Sequence, residues 1–185
     1  MRWASLALGD SLTAGYGLSN EDGFTKQLEA ALNEAGVRAT VVNGGVSGDT
    51  SAGGLARADW LLSDKPSLVI VELGANDALR GLEPADTRRN LDALVAKIKT
   101  FGARVLVAGM LAPPNLGRDY AAEFNPIFPD VAKAHKVALY PFFLDGVAAD
   151  PALNQADGIH PNAKGVSVIV QRMLPVLLKT LGESQ

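Results

Sequence analysis

A serine, a histidine and a carboxylate lie in two short segments near opposite ends of the chain, and together they can form an activated hydroxyl nucleophile. Ser11 follows an apolar run near the amino terminus, and Asp157 and His160 stand three residues apart ahead of a helix-like segment. A carboxylate at that spacing can accept the imidazole Nδ1–H, which leaves Nε2 free to take the serine proton. We predict this arrangement if the fold brings the two segments together.

Each candidate also has a purely structural interpretation. Asp10 or Ser11 can cap a helix after the first strand, and Asp157 can bond its own backbone in a turn. Asn76 can donate its amide to a developing oxyanion or simply form a turn. The glycine-rich residues 43–50 can supply a further N–H donor, remain a flexible loop, or cradle a phosphate, although they lack the lysine of a P-loop.

The elements that must position these residues alternate between strand-like and helix-like patterns. We predict strands over residues 3–8, 39–42, 68–73, 105–109 and 137–141. This alternation predicts an α/β fold in one domain spanning residues 1–185, built as a three-layer α/β/α sandwich. Two doubly wound strand orders fit this pattern. In the flavodoxin-like order, 2-1-3-4-5, a ligand crevice forms where strands 1 and 3 end, beside Ser11 and Asn76.

Amphipathic periodicity predicts the helices between the strands. They cover residues 24–35, 53–62, 91–101, 119–135 and 162–181, with glycines as stops at 36 and 102. Pro126 and Pro129 predict a late start or a kink in the fourth helix, and the same applies to Pro175 in the last. Trp3 and Trp60 are expected in the core.

Composition excludes several classes of function. The chain has 185 residues, 48% of them hydrophobic, a net charge of -3 and no cysteine. A thiolate metal site, a disulfide and a cysteine nucleophile are therefore excluded, and the acidic balance argues against a nucleic-acid partner. With two isolated histidines, we expect no metal site and no cofactor.

Apolar runs indicate whether a chain can cross a membrane, and its amino terminus indicates whether it carries a leader for export. No continuous apolar run approaches the ~20 residues of a transmembrane segment. No leader is recognisable before the first predicted strand. We expect a cytoplasmic protein as the sequence is printed, or a periplasmic or secreted one if a leader has been removed. A monomer is the default expectation.

Four ordered segments resemble the four blocks of the SGNH hydrolase (GDSL lipase/esterase) family. They are residues 9–12 (GDSL), 47–50 (SGDT), 74–77 (GAND) and 157–161 (DGIHP). Within that family the chain looks closest to the bacterial thioesterase I, lysophospholipase L1 and arylesterase group, and the resemblance covers essentially the whole sequence. It implies the flavodoxin-like sandwich that the element pattern also predicts.

The resemblance assigns roles to individual residues. It implies that Ser11 is the nucleophile, His160 the base and Asp157 the orienting acid. The Ser11 N–H, the Gly48 N–H and the Asn76 side chain would form the oxyanion hole. The expected partner is a small ester or acyl thioester with a short or medium acyl chain, or an aryl ester.

Apolar residues near these blocks are candidates for acyl binding. Leu79 and Leu82 lie in the segment after the third block, which in relatives is a mobile loop that contacts substrate, and Leu111 follows the fourth strand. Two alternatives remain: a carbohydrate deacetylase of the same superfamily, or a flavodoxin-like phosphate-binding module without a nucleophile. Such a module has no need for a carboxylate three residues before a histidine.

Overall fold

Five parallel strands form the centre of the protein, seen in a computed structural model that describes residues 3–182. The strands are β1 (Trp3–Gly9), β2 (Ala39–Gly45), β3 (Leu68–Glu72), β4 (Arg104–Ala108) and β5 (Ala138–Tyr140). Their order is β2-β1-β3-β4-β5, and all neighbours run parallel. The predicted fold class and strand order are therefore confirmed.

Helices flank the sheet in two groups. They are α1 (Ser11–Ala14), α2 (Phe24–Glu34), α3 (Ser51–Leu62), α4 (Ala75–Leu79), α5 (Pro84–Thr100), α6 (Gly117–Phe124), α7 (Ile127–His135) and α8 (Ala163–Gly182). α2 packs against α8, while α3 packs against α5 and α5 against α7. Every residue of β3 is buried, as a strand covered on both faces requires.

Local chemistry sets the helix boundaries. Gly36 and Gly102 follow α2 and α5 with φ of +83° at each, so both predicted stops are confirmed. The predicted helix over 119–135 is two helices, because Pro126 lacks the N–H that would continue α6. Pro129 lies in the first turn of α7, where no intrahelical N–H bond is needed. Pro175 lies inside α8, which continues through it.

The amphipathic periodicity of the sequence predicts neither α1 nor α4, which have four and five residues. Such short helices contain too few residues to show a periodic apolar stripe. Both begin directly after a strand of the sheet centre, and both carry a residue singled out for chemistry.

Trp60 is 77% exposed, so its prediction as a core residue is wrong. The buried positions of α3, spaced three or four apart, are Ser51, Gly54, Ala58 and Leu62, and Trp60 falls off that stripe. Trp3 is half-buried and lies under the Arg104 guanidinium, 5.1 Å from its ring centroid.

α8 is the one helix, among those the structure describes, that is long and apolar enough to span a membrane by length and composition alone. Its 20 residues include a window of mean hydropathy 1.3. Polar residues such as Lys164 and Arg172 interrupt the apolar run, and the helix packs against α2, β4 and β5. A core helix meets the same length and composition criterion.

Candidate active site

Ser11 lies at a tight strand-to-helix turn at the carboxyl end of β1. Gly9 ends the strand, Asp10 caps α1, and the Asp10 Oδ1 accepts the Leu12 N–H at 3.0 Å. A Cβ on Gly9 would lie 2.1 Å from the Thr13 Oγ1, so only glycine fits this turn. The capping interpretation therefore holds for Asp10, while Ser11 becomes the first residue of the helix.

The structure brings Ser11, His160 and Asp157 together. The Ser11 Oγ lies 3.0 Å from the His160 Nε2, and the His160 Nδ1 lies 2.6 Å from the Asp157 Oδ2. The other carboxylate oxygen of Asp157 accepts the N–H groups of Ile159 and His160 at 2.9 and 3.0 Å. Asp157 thus makes the local turn and also orients the imidazole, so its two interpretations are compatible.

The Asp157 carboxylate is strongly stabilised as an anion. Hydrogen bonds from the His160 backbone N–H, the His160 ring and the Ile159 N–H lower its pKa to about 2. It therefore stays charged throughout the range in which an esterase assay is practical. A fixed negative charge next to Nδ1 favours the tautomer that carries its proton on Nδ1, which leaves Nε2 free to accept the serine proton.

The His160 segment reaches the site through the irregular stretch after β5. The Gln155 N–H donates to the His160 carbonyl at 2.7 Å, and the Gln155 side-chain amide donates to the Tyr16 carbonyl at 2.7 Å. The Tyr16 ring then lies against the imidazole, with centroids 4.5 Å apart and planes tilted by 36°. Sequence reasoning gave no role to Gln155 or Tyr16, because no local pattern signals a contact across the whole chain.

Asn76 connects the ends of three strands. Its Nδ2 donates to the Asp49 carbonyl at 2.8 Å and, more weakly, to the Asp10 Oδ2 at 3.3 Å. Gly74, with φ of +116°, starts α4 and turns Asn76 toward β1 and β2. The amide is thus anchored on Asp49, and its longer bond runs to Asp10, the residue before Ser11.

The two backbone donors suggested by the sequence, the Ser11 and Gly48 N–H groups, belong to the segments that follow β1 and β2. The Ser11 N–H is the first of α1 and has no carbonyl one turn earlier within that helix to bond. Gly48 has φ of +82°, and its carbonyl accepts the Arg80 guanidinium at 2.6 Å. The loop that carries Gly48 is tied to Asn76 through Asp49.

Two buried carboxyl groups, those of Asp10 and Glu72, lie beneath the Ser11 turn, and no sequence pattern indicated a role for Glu72. Glu72 ends β3, is fully buried, and its Oε2 accepts the Thr13 hydroxyl at 2.8 Å and the Asp10 N–H at 3.3 Å. Burial and the neighbouring Asp10 charge raise the pKa of Glu72 well above its usual value. Burial also raises the pKa of Asp10 to about 6. The two carboxyl groups therefore titrate as an interacting pair, in which burial and the Asp10 charge favour the neutral form of Glu72.

A pocket of about 230 Å³ opens beside Ser11 and His160. Its apolar wall consists of Leu12, Ala75, Leu79, Met110, Leu111, Pro113, Leu144 and Ile159. The structure thus places Leu79 and Leu111 at the pocket, as predicted. It does not place Leu82 there, because a turn at Gly81 (φ +62°) carries Leu82 to a neighbouring depression beside Glu83.

No cluster of three or more potential metal-ligating side chains occurs within residues 3–182. His135, the second histidine, lies in the last turn of α7, away from the pocket, and its Nε2 is 2.7 Å from the Asp92 Oδ1. The polar side chains that line the pocket are those of Asp10, Ser11, Asn76 and His160.

Comparison with known proteins identifies the family. The sequence profile of the GDSL-like Lipase/Acylhydrolase family matches residues 7–168. The chain belongs to this family. The esterase TesA of Pseudomonas aeruginosa is 43% identical to this acylhydrolase-family chain over 173 residues, which are 93% of this chain and 86% of TesA. The predicted family resemblance is therefore confirmed.

Two further relatives agree. Thioesterase 1/protease 1/lysophospholipase L1 of Escherichia coli K12 is 43% identical over 158 residues, or 85% of this GDSL-like chain and 74% of the relative. The crystal structure of the psychrotrophic esterase EstA from Pseudoalteromonas sp., inhibited by monoethylphosphonate, superimposes with a TM-score of 0.91 at 35% identity. That match covers 97% of this chain and 99% of EstA.

Proposed function

We propose that the protein is a serine esterase in which Ser11 is the nucleophile, His160 the general base and Asp157 the orienting acid. The observation that carries this proposal is the line of two hydrogen bonds, 3.0 Å from Ser11 to His160 and 2.6 Å from His160 to Asp157. Membership of the acylhydrolase family and relatives named as esterases support it.

The reaction is acyl transfer to water in two halves. The Ser11 Oγ forms a bond to the ester carbonyl carbon while its proton moves to the His160 Nε2. The imidazolium then gives that proton to the leaving alcohol or thiol as the C–O or C–S bond breaks. Water attacks the acyl-serine and gives one proton to His160, which returns it to the Ser11 oxygen as the acid leaves.

The oxyanion formed in each half needs donors already in place. We propose the Ser11 N–H, the Gly48 N–H and the Asn76 amide for this role. Asn76 supports it best, because its side chain is anchored on one hydrogen by Asp49 at 2.8 Å while the bond from the same nitrogen to Asp10 is long, at 3.3 Å. A substrate oxygen can compete for that weakly bound hydrogen.

The substrate is proposed to be a small ester or thioester with an apolar acyl group of short to medium length. The pocket next to Ser11 has about 230 Å³ and walls that include Leu79, Leu111 and Ile159. Apolar walls favour an acyl or aryl group over a sugar, which argues against the carbohydrate deacetylase. A relative named as a thioesterase and lysophospholipase supports including thioesters and lysophospholipids.

A series of p-nitrophenyl esters from acetate to decanoate, assayed with wild-type protein and Ser11→Ala, tests the proposal. We expect hydrolysis that peaks at a short or medium chain and disappears in Ser11→Ala. A fluorophosphonate probe should label wild type stoichiometrically at Ser11, and peptide mapping identifies the residue. Absence of turnover and of labelling would favour a phosphate-binding module, and activity only on acetylated sugars would favour the deacetylase.

A further inference from the structure

The proposed oxyanion donors come from three separate chain segments, those that follow β1, β2 and β3. Segments of this kind hold a catalytic geometry only if something fixes them against one another. Arg57, on α3, bonds directly to Gly9 at the end of β1 and to Gly44 and Asp49 in and after β2. Through Asp49 it reaches Asn76, which follows β3. We propose that Arg57 is a positioning residue that sets the geometry of the oxyanion hole, an inference that rests on the proposed function.

The Arg57 guanidinium donates in three directions. Its Nη2 bonds the Gly9 carbonyl at 2.9 Å, at the end of β1 and two residues before Ser11. Its Nη1 bonds the Gly44 carbonyl of β2 at 2.7 Å, and its Nε bonds the Asp49 Oδ2 at 2.7 Å. The ends of β1 and β2 and the loop after β2 therefore share one cation.

Asp49 passes this restraint on to the proposed donors. It follows Gly48 in the chain, and its carbonyl accepts the Asn76 amide at 2.8 Å. Displacement of Asp49 would therefore move the Gly48 peptide and release the hydrogen bond that orients Asn76. One ion pair thus controls two of the three donors, while the Gly9 carbonyl links the same cation to the Ser11 turn.

The site is built to hold this ion pair. The Arg57 and Asp49 side chains are only 21% and 13% exposed. A Cβ at Gly53 would lie 1.8 Å from the Asp49 Oδ1, so the glycine leaves the space that the carboxylate occupies against α3. A charge-assisted bond in this partly buried setting is shorter and stronger than a neutral one.

Lysine cannot replace these contacts. The planar guanidinium presents donors at fixed angles to separate acceptors, whereas an ammonium is a single point charge on a flexible stem. Arg57→Lys therefore keeps the charge but loses the simultaneous bonds to Gly9, Gly44 and Asp49. That makes it a specific probe of geometry rather than of charge.

Arg104 provides a matched control. Its guanidinium is also partly buried and donates to two backbone carbonyls, those of Thr180 and Leu181, at 2.7 and 2.6 Å. It lies at the start of β4, at the opposite end of the sheet from Ser11. Arg104→Lys should therefore cost stability of similar origin without reaching the site.

The experiment compares kcat, KM and thermal midpoint for wild type, Ser11→Ala, Arg57→Lys and Arg104→Lys with the best p-nitrophenyl ester. We expect Arg57→Lys to lower kcat about 10- to 100-fold with KM within about threefold, the pattern of weakened transition-state stabilisation. Arg104→Lys should retain the wild-type kcat. Equal loss of thermal stability in both lysine variants with unchanged kcat in both would overturn the inference.

A second measurement keeps the inference testable if Arg57→Lys folds poorly. Asp49→Asn preserves side-chain volume and removes the charge partner, so it should also lower kcat with little change in KM. In ¹⁵N spectra the Gly48 N–H and the Asn76 side-chain amide should shift in this variant and stay in place in Arg104→Lys. Unchanged kcat and unshifted signals in Asp49→Asn would overturn the inference.

These outcomes separate the two proposals. If wild type neither hydrolyses esters nor reacts with a fluorophosphonate, the proposed function fails. If wild type is active and Ser11→Ala is not, but Arg57→Lys and Asp49→Asn retain the wild-type kcat, only the role of Arg57 fails.

Discussion

The two halves of the site are held in place in different ways. The half that contains Ser11 and Asn76 rests on side chains that are almost fully buried, including Asp10 at 1% and Glu72 at 0% exposure. The half that contains His160 rests on Asp157, whose side chain is 38% exposed and whose bonds all run to residues two or three positions away.

The difference separates long-range from local preorganisation. On the nucleophile side, the hydrogen bonds join residues about sixty positions apart, such as Asp10 and Glu72, so they form only with the complete sheet. On the acid–base side, the bonds that pair the imidazole with the carboxylate lie within one turn of four residues, from Asp157 to His160. Substitutions in the local half should therefore affect catalysis alone, and those in the buried half should affect catalysis and stability together.

The largest effect is expected from Asp157→Asn. The amide can keep the bonds from the Ile159 and His160 N–H groups but offers no carboxylate to the His160 Nδ1, so the wrong tautomer is favoured. We expect kcat to fall on the order of 10³- to 10⁴-fold. The thermal midpoint should stay near that of wild type, because the side chain is exposed and its turn is retained.

Asp145→Asn is the control for Asp157→Asn, because Asp145 is an exposed carboxylate on the same irregular stretch and pairs with Arg172. It should leave kcat unchanged. A large drop in the thermal midpoint of Asp157→Asn, measured by circular dichroism, would show that the acid–base half is not locally held.

Asn76→Ala is expected to have the next largest effect. Removing one oxyanion donor should lower kcat by ~10²–10³. Because the same amide holds the Asp49 carbonyl, the free energy of unfolding should also fall, by about 1 kcal/mol. Steady-state kinetics and urea denaturation measure the two effects separately.

Asn90→Ala is the matched control for Asn76→Ala. Its amide donates to the Ser51 Oγ at 3.0 Å, and Ser51 in turn donates to the buried Asp77. This polar cluster lies next to the site. Asn90→Ala should lower the unfolding free energy by a similar amount and leave kcat intact. Full kcat in Asn76→Ala would remove that residue from the proposed oxyanion hole.

Tyr16→Ala should have a smaller effect that is confined to catalysis. The Tyr16 ring packs on the His160 imidazole, and an aromatic face stabilises a cation formed next to it by about 1 kcal/mol at an exposed site. We expect kcat to fall about fivefold, which is that energy expressed as a rate. Tyr16→Phe keeps the ring and should restore wild-type kcat, whereas a phenylalanine variant as slow as the alanine variant would contradict stacking as the cause.

Glu72→Gln should have the smallest effect on activity at neutral pH and a distinct effect on stability. Burial and the Asp10 charge favour the neutral form of Glu72, so a neutral amide replaces it closely and can accept the same bonds from the Thr13 hydroxyl and the Asp10 N–H. The raised pKa of Glu72 means that the neutral acid contributes stability that is fully present below the ordinary value of 4.5. That contribution is lost as the pH rises through the raised folded-state pKa.

The wild-type protein should therefore lose stability relative to Glu72→Gln as the pH is raised above 4.5, and thermal midpoints measured from that pH upward follow the difference. Asp10 titrates in the same cluster, with a pKa of about 6, and is present in both proteins. A constant difference at all pH values would mean that Glu72 does not hold a proton in the folded protein.

Much of the fold could be predicted because its signals are periodic and local. The apolar run at β3 and the stripe of α5 identified buried elements, and glycines marked where helices end. Trp60 misled the prediction because tryptophan is usually buried, yet its position lies off the buried stripe of α3. Leu82 was expected at the pocket because, like Leu79, it lies in the segment that contacts substrate in relatives, but a glycine turn between the two leucines separates their side chains.

The sequence by itself was sufficient for the α/β class, the family and the candidates Ser11, Asp157 and His160, because these depend on periodicity and on short motifs of fixed spacing. The strand order followed from the family resemblance, since periodicity alone left two doubly wound orders open. Only the tertiary structure revealed Glu72 beneath the Ser11 turn, Tyr16 on the imidazole and Arg57 across three segments. Those contacts join residues far apart in the chain, and their partners are backbone carbonyls, ring faces and buried oxygens. The type of a residue does not indicate such a partner, because the contact exists only where the folded sheet brings the segments together.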